Sequence, residues 1–130
     1  MSDNFKIMVY IVDDDESVCA SLSMLMYSVN MNVQSFRHPN EFMNCQPQLE
    51  RSCLITDIEM KGMDGFDLQI KLRAEGIDLP TIFLTASDSD ENRQRAKQNG
   101  AIGYLTKPVD DQALLDSIHW ALSSGTLPTT

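Results

Sequence analysis

The stretch Cys53-Leu54-Ile55-Thr56-Asp57 decides how this chain is read. A short apolar run ends on an acid, and Ile58-Glu59-Met60-Lys61-Gly62-Met63-Asp64-Gly65 follows. Such a run, bounded by turn residues, fits a strand buried on both faces of a sheet. A strand that stops on a carboxylate presents it at the sheet's carboxyl edge, where open α/β sheets bind ligands. Taken alone, Asp57 reads equally well as a cap for the following turn. Its neighbours have to decide.

Upstream, Ile7-Met8-Val9-Tyr10-Ile11-Val12 is a β-favouring run cut short by Asp13-Asp14-Asp15-Glu16. Those three aspartates would also serve as a helix-capping cluster. Val18, Leu22, Leu25, Met26 and Val29 then recur on one face of a helix. Residues 33–36 form a short second strand. His38-Pro39-Asn40 opens a second helix with Phe42, Met43 and Leu49 as apolar contacts, and Pro47 should end or distort it.

Downstream, Met63, Phe66, Ile70 and Arg73 predict a third helix to about Ala74, closed by Gly76. Thr81-Ile82-Phe83-Leu84-Thr85 is a fourth strand. Residues 88–99 are almost wholly polar, with acids first and bases later, an order that suits a helix dipole. That helix has little apolar surface and should be weakly anchored. Residues 101–105 form a fifth strand before Thr106-Lys107-Pro108, and a last helix spans about 110–122, with Leu114, Ile118, Ala121 and Leu122 on one face. Residues 123–130 read as a polar tail or the start of a linker.

Five strands alternating with five helices predict a doubly wound, flavodoxin-like (βα)5 fold. Its five-stranded parallel sheet should have the order 2-1-3-4-5, with a switch point between strands one and three. That order sets Asp13 and Asp14 beside Asp57.

With 130 residues, 42% of them hydrophobic and 22% charged, the chain suits one globular domain, here residues 1–122. The net charge of −9 argues against direct nucleic-acid binding and suits carboxylates gathered around a cation. Cys19, Cys45 and Cys53 have no metal-ligand spacing and read as reduced thiols. No apolar run is long enough to span a membrane, and a cytoplasmic location is expected. His38 and His119 have no ligand-spaced partner and read as exposed. The eight methionines read as core filling and Cys53 as inert.

Three carboxylates at one edge repel one another and are tolerable around a hard dication such as Mg²⁺. Thr85 and Lys107 end two further strands at the same edge, which completes a set suited to a phosphoryl group. A carboxylate in that set can act as nucleophile. No GxxxxGK[ST] or GxGxxG loop is present, so a nucleotide is not the obvious donor.

These residues resemble the receiver domain of two-component response regulators. The resemblance runs from Ile7 to Leu122 and rests on five motifs. They are Val12-Asp13-Asp14-Asp15, Thr56-Asp57, Met60-Lys61-Gly62-Met63-Asp64-Gly65, Leu84-Thr85-Ala86 and Tyr104-Leu105-Thr106-Lys107-Pro108.

The resemblance implies that Asp57 is the phosphoacceptor, attacking the phosphohistidine of a sensor histidine kinase or a phosphotransfer protein. It implies a Mg²⁺ ion, with Mn²⁺ as a substitute, held by Asp14, Asp57, Asp13 through water, and the Glu59 backbone carbonyl. Lys107, Thr85 and the Ala86 N–H would bind the phosphate, and Thr85 with Tyr104 would form the switch. It further implies a cis Lys107–Pro108 bond. The switched face of the fourth helix, fifth strand and last helix would control a partner, homodimerisation or an output domain absent from this chain. The domain is then a signalling switch that takes part in its own phosphorylation and dephosphorylation. Lys61 departs from the pattern, which usually has proline there, and Glu59 and Ser87 stand where the family tunes phosphoryl lifetime. A small Mg²⁺-dependent phosphohydrolase with Asp57 as nucleophile, and a receiver-like module without phosphorylation, are the competing readings.

Overall fold

The computed structural model describes residues 6–126. Its elements are β1 Met8–Val12, α1 Glu16–Ser28, β2 Asn32–Phe36, α2 Pro39–Met43 and β3 Ser52–Asp57. They continue as α3 Gly65–Ala74, β4 Thr81–Thr85, α4 Asp90–Gln98, β5 Gly103–Thr106 and α5 Asp111–Thr126. All neighbouring strands pair in parallel, in the order β2-β1-β3-β4-β5. This is the expected flavodoxin-like topology.

Every residue of β3 is buried, as a central strand covered on both faces requires. Strand alternation then sorts the core into layers. Val9, Ile11, Cys53, Ile55, Ile82 and Leu84 pack against Leu22 and Met26 of α1 and Leu114, Ile118 and Ala121 of α5. On the other face, Tyr10, Val12 and Leu54 meet Phe42 of α2 and Leu68 and Leu72 of α3. A smaller cluster of Ile58, Phe66, Phe83 and Ala96 lies under α4. Ala96 is the one buried residue of that helix.

The helix starts are written in polar side chains. Asp15 caps α1, accepting from the Ser17 N–H at 2.9 Å and the Val18 N–H at 3.4 Å. Asp64 caps α3 and Ser89 caps α4 in the same way. Gly76 and Gly100 close α3 and α4 at φ +82° and +72°, a left-handed turn that favours glycine. The Lys107–Pro108 peptide is cis.

Several helical details depart from the expected pattern. α2 stops at Met43, ahead of Pro47, and Leu49, beyond its end, is 52% exposed. Val29 lies beyond the end of α1 and is exposed. In α3 the buried positions are Phe66, Leu68, Gln69 and Leu72, whereas Ile70 is 53% exposed. The spacing of Met63, Phe66, Ile70 and Arg73 placed the helix, but of that row only Phe66 lies on the buried face, where Gln69 holds an inward position. Met63 packs from the preceding loop. α5 continues through Thr126, past the expected end at residue 122. The expected tail beyond it, residues 127–130, lies outside the described residues. Met26 and Met31 fill the core, but Met24 is exposed.

Candidate functional site

The sheet register brings the strand ends together. Val12 pairs with Thr56, Asp57 with Leu84, and Thr85 with Thr106. The next residues along β1 and β5 are Asp13 and Lys107. Backbone bonds carry the ladders past the strands: Ile58 N–H donates to the Leu84 carbonyl at 2.9 Å, and Lys107 N–H to that of Thr85 at 2.8 Å. Asp13, Asp57, Thr85 and Lys107 therefore stand on a rigid edge.

Ligand oxygens of Asp13, Asp14 and Asp57 all lie within 4.8 Å of one another. Asp13 and Asp57 are buried and Asp14 is half-buried. The Lys107 ammonium sits 2.9 Å from Asp13 Oδ2 and 3.4 Å from Asp57 Oδ1. Besides that ammonium, neither of those two oxygens has a donor among the described residues. Asp13 Oδ1 is turned the other way and accepts from the Asp15 N–H at 2.9 Å. Thus the three consecutive aspartates divide their work, with Asp15 capping α1 and the other two facing the cluster.

Burial, reinforced by the charge of Asp13, pushes Asp57 up to about 6, although Lys107 pulls the other way. Burial would lower Lys107, but the hydrogen bond and charge of Asp13, with Asp57, outweigh it and leave its pKa raised. A pair of buried acids with spare lone pairs and one shared cation is electrostatically under-compensated. That donor set, all oxygen and partly open to solvent at Asp14, fits a hard dication such as Mg²⁺.

The loop after Asp57 is drawn tight. Gly65 N–H donates to the Ile58 carbonyl at 2.9 Å, and a Cβ at Gly65 would run into the Asp57 backbone carbonyl. Only glycine permits that approach. Lys61 stands exposed on this loop beside Gly62 at φ +85°.

Thr85 is fully buried, and its hydroxyl faces Glu59, with Oε1 at 3.0 Å and Oε2 at 2.9 Å. The Ser87 N–H donates to that hydroxyl at 2.9 Å. Ala86, between them, is exposed at the strand end. Tyr104 is half-buried, and its hydroxyl donates to Asp88 Oδ1 at 2.9 Å. Arg93 forks the same carboxylate, at 2.8 and 2.6 Å, and lies 5.8 Å from the Tyr104 ring centroid. The fork, with help from Tyr104, holds Asp88 down to about 2. Burial raises Tyr104, and Asp88 adds to the rise.

Asp88, Asn92 and Arg93 were not singled out from the sequence. Their signal was the order of acids before bases in residues 88–99, which reads first as helix-dipole complementarity. His38 and His119 are exposed, and burial pushes the Cys53 thiol up to about 12. The cysteines at 19, 45 and 53 are free. A cavity of 520 Å³ opens between Glu16, Cys19, Ser35, Arg37 and Glu41, and none of the three clustered carboxylates lines it. No helix among the described residues is long and apolar enough to cross a membrane.

The family model described as "Response regulator receiver domain" matches residues 9–119. The response regulator protein TmoT of Ectopseudomonas mendocina is 39% identical over 114 residues, covering 88% of this chain and 52% of that protein. The transcriptional regulatory protein TdiR of Thauera aromatica is 34% identical over 115 residues, 88% of this chain and 51% of that protein. This chain thus spans about half the length of these curated relatives. Among solved structures, the response regulator StyR superposes with a TM-score of 0.84 at 37% identity, covering 93% of this chain and 61% of that one. FixJ-N superposes at 0.82 with 28% identity over the whole of both chains. The chain belongs to the response regulator receiver domain family.

Proposed function

We propose that Asp57 accepts a phosphoryl group from the phosphohistidine of a sensor histidine kinase or phosphotransfer protein. The observation that supports this best is the clustering of Asp13, Asp14 and Asp57 at the carboxyl edge of the sheet, with the Lys107 ammonium on Asp13 and Asp57. A carboxylate oxygen of Asp57 attacks phosphorus and the N–P bond breaks; with its other ring nitrogen protonated, the histidine leaves as neutral imidazole. Lys107 pairs with the incoming phosphoryl oxygens, and the Thr85 hydroxyl and Ala86 N–H bind them from the other side. Asp14, Asp57 and the Glu59 backbone carbonyl would hold Mg²⁺, or Mn²⁺ in its place, with Asp13 acting through water. The ion supplies charge neutralisation for the transferred group.

Phosphorylation then biases a two-state surface that includes Thr85, Tyr104 and α4. That surface, with β5 and α5, meets a second copy or an output segment. Trp120 of α5 is 63% exposed. The protein acts in the cytoplasm. A phosphohydrolase reading would use Glu59 as general acid, but both of its carboxylate oxygens are engaged with Thr85.

The test is incubation with a small phosphodonor and Mg²⁺, followed by intact mass. The expected gain is about 80 Da, one phosphoryl group. No gain, or an equal gain in Asp57→Asn, would overturn the proposal.

A further inference from the structure

The hydroxyl assigned above to phosphoryl binding is already occupied. Thr85 has one hydroxyl proton to give, and both Glu59 carboxylate oxygens are within reach of it, at 3.0 and 2.9 Å. The acceptor side of the same hydroxyl is taken by the Ser87 N–H. Glu59 is itself tied to α4, because Asn92 Nδ2 lies 3.4 Å from its Oε2 and donates to the Ser87 carbonyl at 3.1 Å. α4 buries only Ala96 against the core. Polar contacts of this kind, along with the Asp88–Arg93 fork and the Arg95–Asp64 ion pair, therefore define where it sits.

We infer that Glu59 is a positioning residue that occupies the Thr85 hydroxyl in the unphosphorylated protein and ties its release to α4 through Asn92. The inference rests on Asp57 being the phosphoacceptor. A phosphoryl group there carries roughly −1.5 to −2 charge and oxygens that accept hydrogen bonds. One hydroxyl proton cannot serve both Glu59 and the phosphoryl group, and the two anions repel. Glu59 leaves, and the Asn92 contact to it is lost. The chain thus carries its own competitor for the phosphoryl site, and each phosphorylation event has to displace it.

The experiment titrates the full chain with beryllofluoride and Mg²⁺, a phosphoryl stand-in on a carboxylate, and follows amide and side-chain NH₂ resonances by NMR. Thermal melts establish that Glu59→Ala and Glu59→Gln are folded. Glu59→Ala should bind beryllofluoride roughly tenfold more tightly than wild type, the scale of one charge-assisted hydrogen bond. Glu59→Gln still accepts from Thr85 but carries no charge, and should fall between the two. Without any ligand, the Ser87 and Asn92 signals of Glu59→Ala should move toward their positions in beryllofluoride-bound wild type. A merely structural Glu59 would produce neither effect. Wild type that binds while Glu59→Ala binds no more tightly overturns the role of Glu59 alone. Failure of both proteins to bind overturns the Asp57 reading and this inference with it.

Discussion

At the end of β3 the Asp57 carboxyl is 4% exposed, faces Asp13, and has its pKa raised from 3.8 to about 6. The folded protein therefore holds this proton more tightly than the unfolded chain does. Stability from this group is fully present below about pH 4 and is lost as the pH rises through about 6. At neutral pH the ionised nucleophile is a net cost. Asp57→Asn removes that cost, and Lys107 keeps Asp13 as its partner at 2.9 Å. Urea unfolding at pH 7 should show the variant more stable by about 1–3 kcal/mol. The slope of stability between pH 4 and 6 should flatten accordingly. An unchanged stability would mean that Asp57 is better compensated than its surroundings indicate. Residue by residue, the sequence was legible at the strand ends, where Asp57, Thr85 and Lys107 each follow a β-favouring run. Within Asp13-Asp14-Asp15 the strand order marked Asp13 and Asp14 for the cluster, but it did not reveal the separate capping role of Asp15. Three consecutive acids have the same chemistry, and only the turn into α1 makes Asp15 the cap while Asp13 and Asp14 face the cluster.

Among the elements, strands were read more reliably than helices, for a physical reason. β3 and β4 are covered on both faces, so their central positions are apolar and the run announces itself. A helix has to reveal which face is buried. In α3 that face includes Gln69 at 2% exposure while Ile70 points outward, so periodicity placed the helix without giving its buried face. α4 was the exception: its polar composition matches a helix that buries a single side chain, Ala96. A helix with one buried side chain opens locally at little cost. Native-state hydrogen exchange should find α4 amides exchanging at least roughly tenfold faster than those of α1, which buries Cys19, Leu22 and Met26. Equal protection in the two helices would show that the polar contacts alone anchor α4 firmly.

For the molecule as a whole, alternating strands and helices with right-handed crossovers leave few topologies, which is why the order β2-β1-β3-β4-β5 could be anticipated. The Glu59–Thr85 contact could not, because it joins residues 26 apart in sequence and depends on where Asn92 of α4 comes to rest. The clustered acids also make a global statement. A dication that binds only the folded site stabilises the whole domain by mass action. Millimolar Mg²⁺ should raise the melting temperature by a few degrees, the effect of about 1 kcal/mol on a domain of this size. Asp14→Ala should abolish the rise. A rise that survives the substitution would place the ion elsewhere.

The central claim is that the phosphoryl group resides on Asp57. Borohydride reduces an aspartyl phosphate to homoserine, so trapping after phosphodonor treatment, followed by peptide mapping, reads the position of modification directly. Homoserine at position 57, absent when the donor is withheld, is the expected result. Modification at Asp13, Asp14 or any other acid, with position 57 untouched, would contradict it.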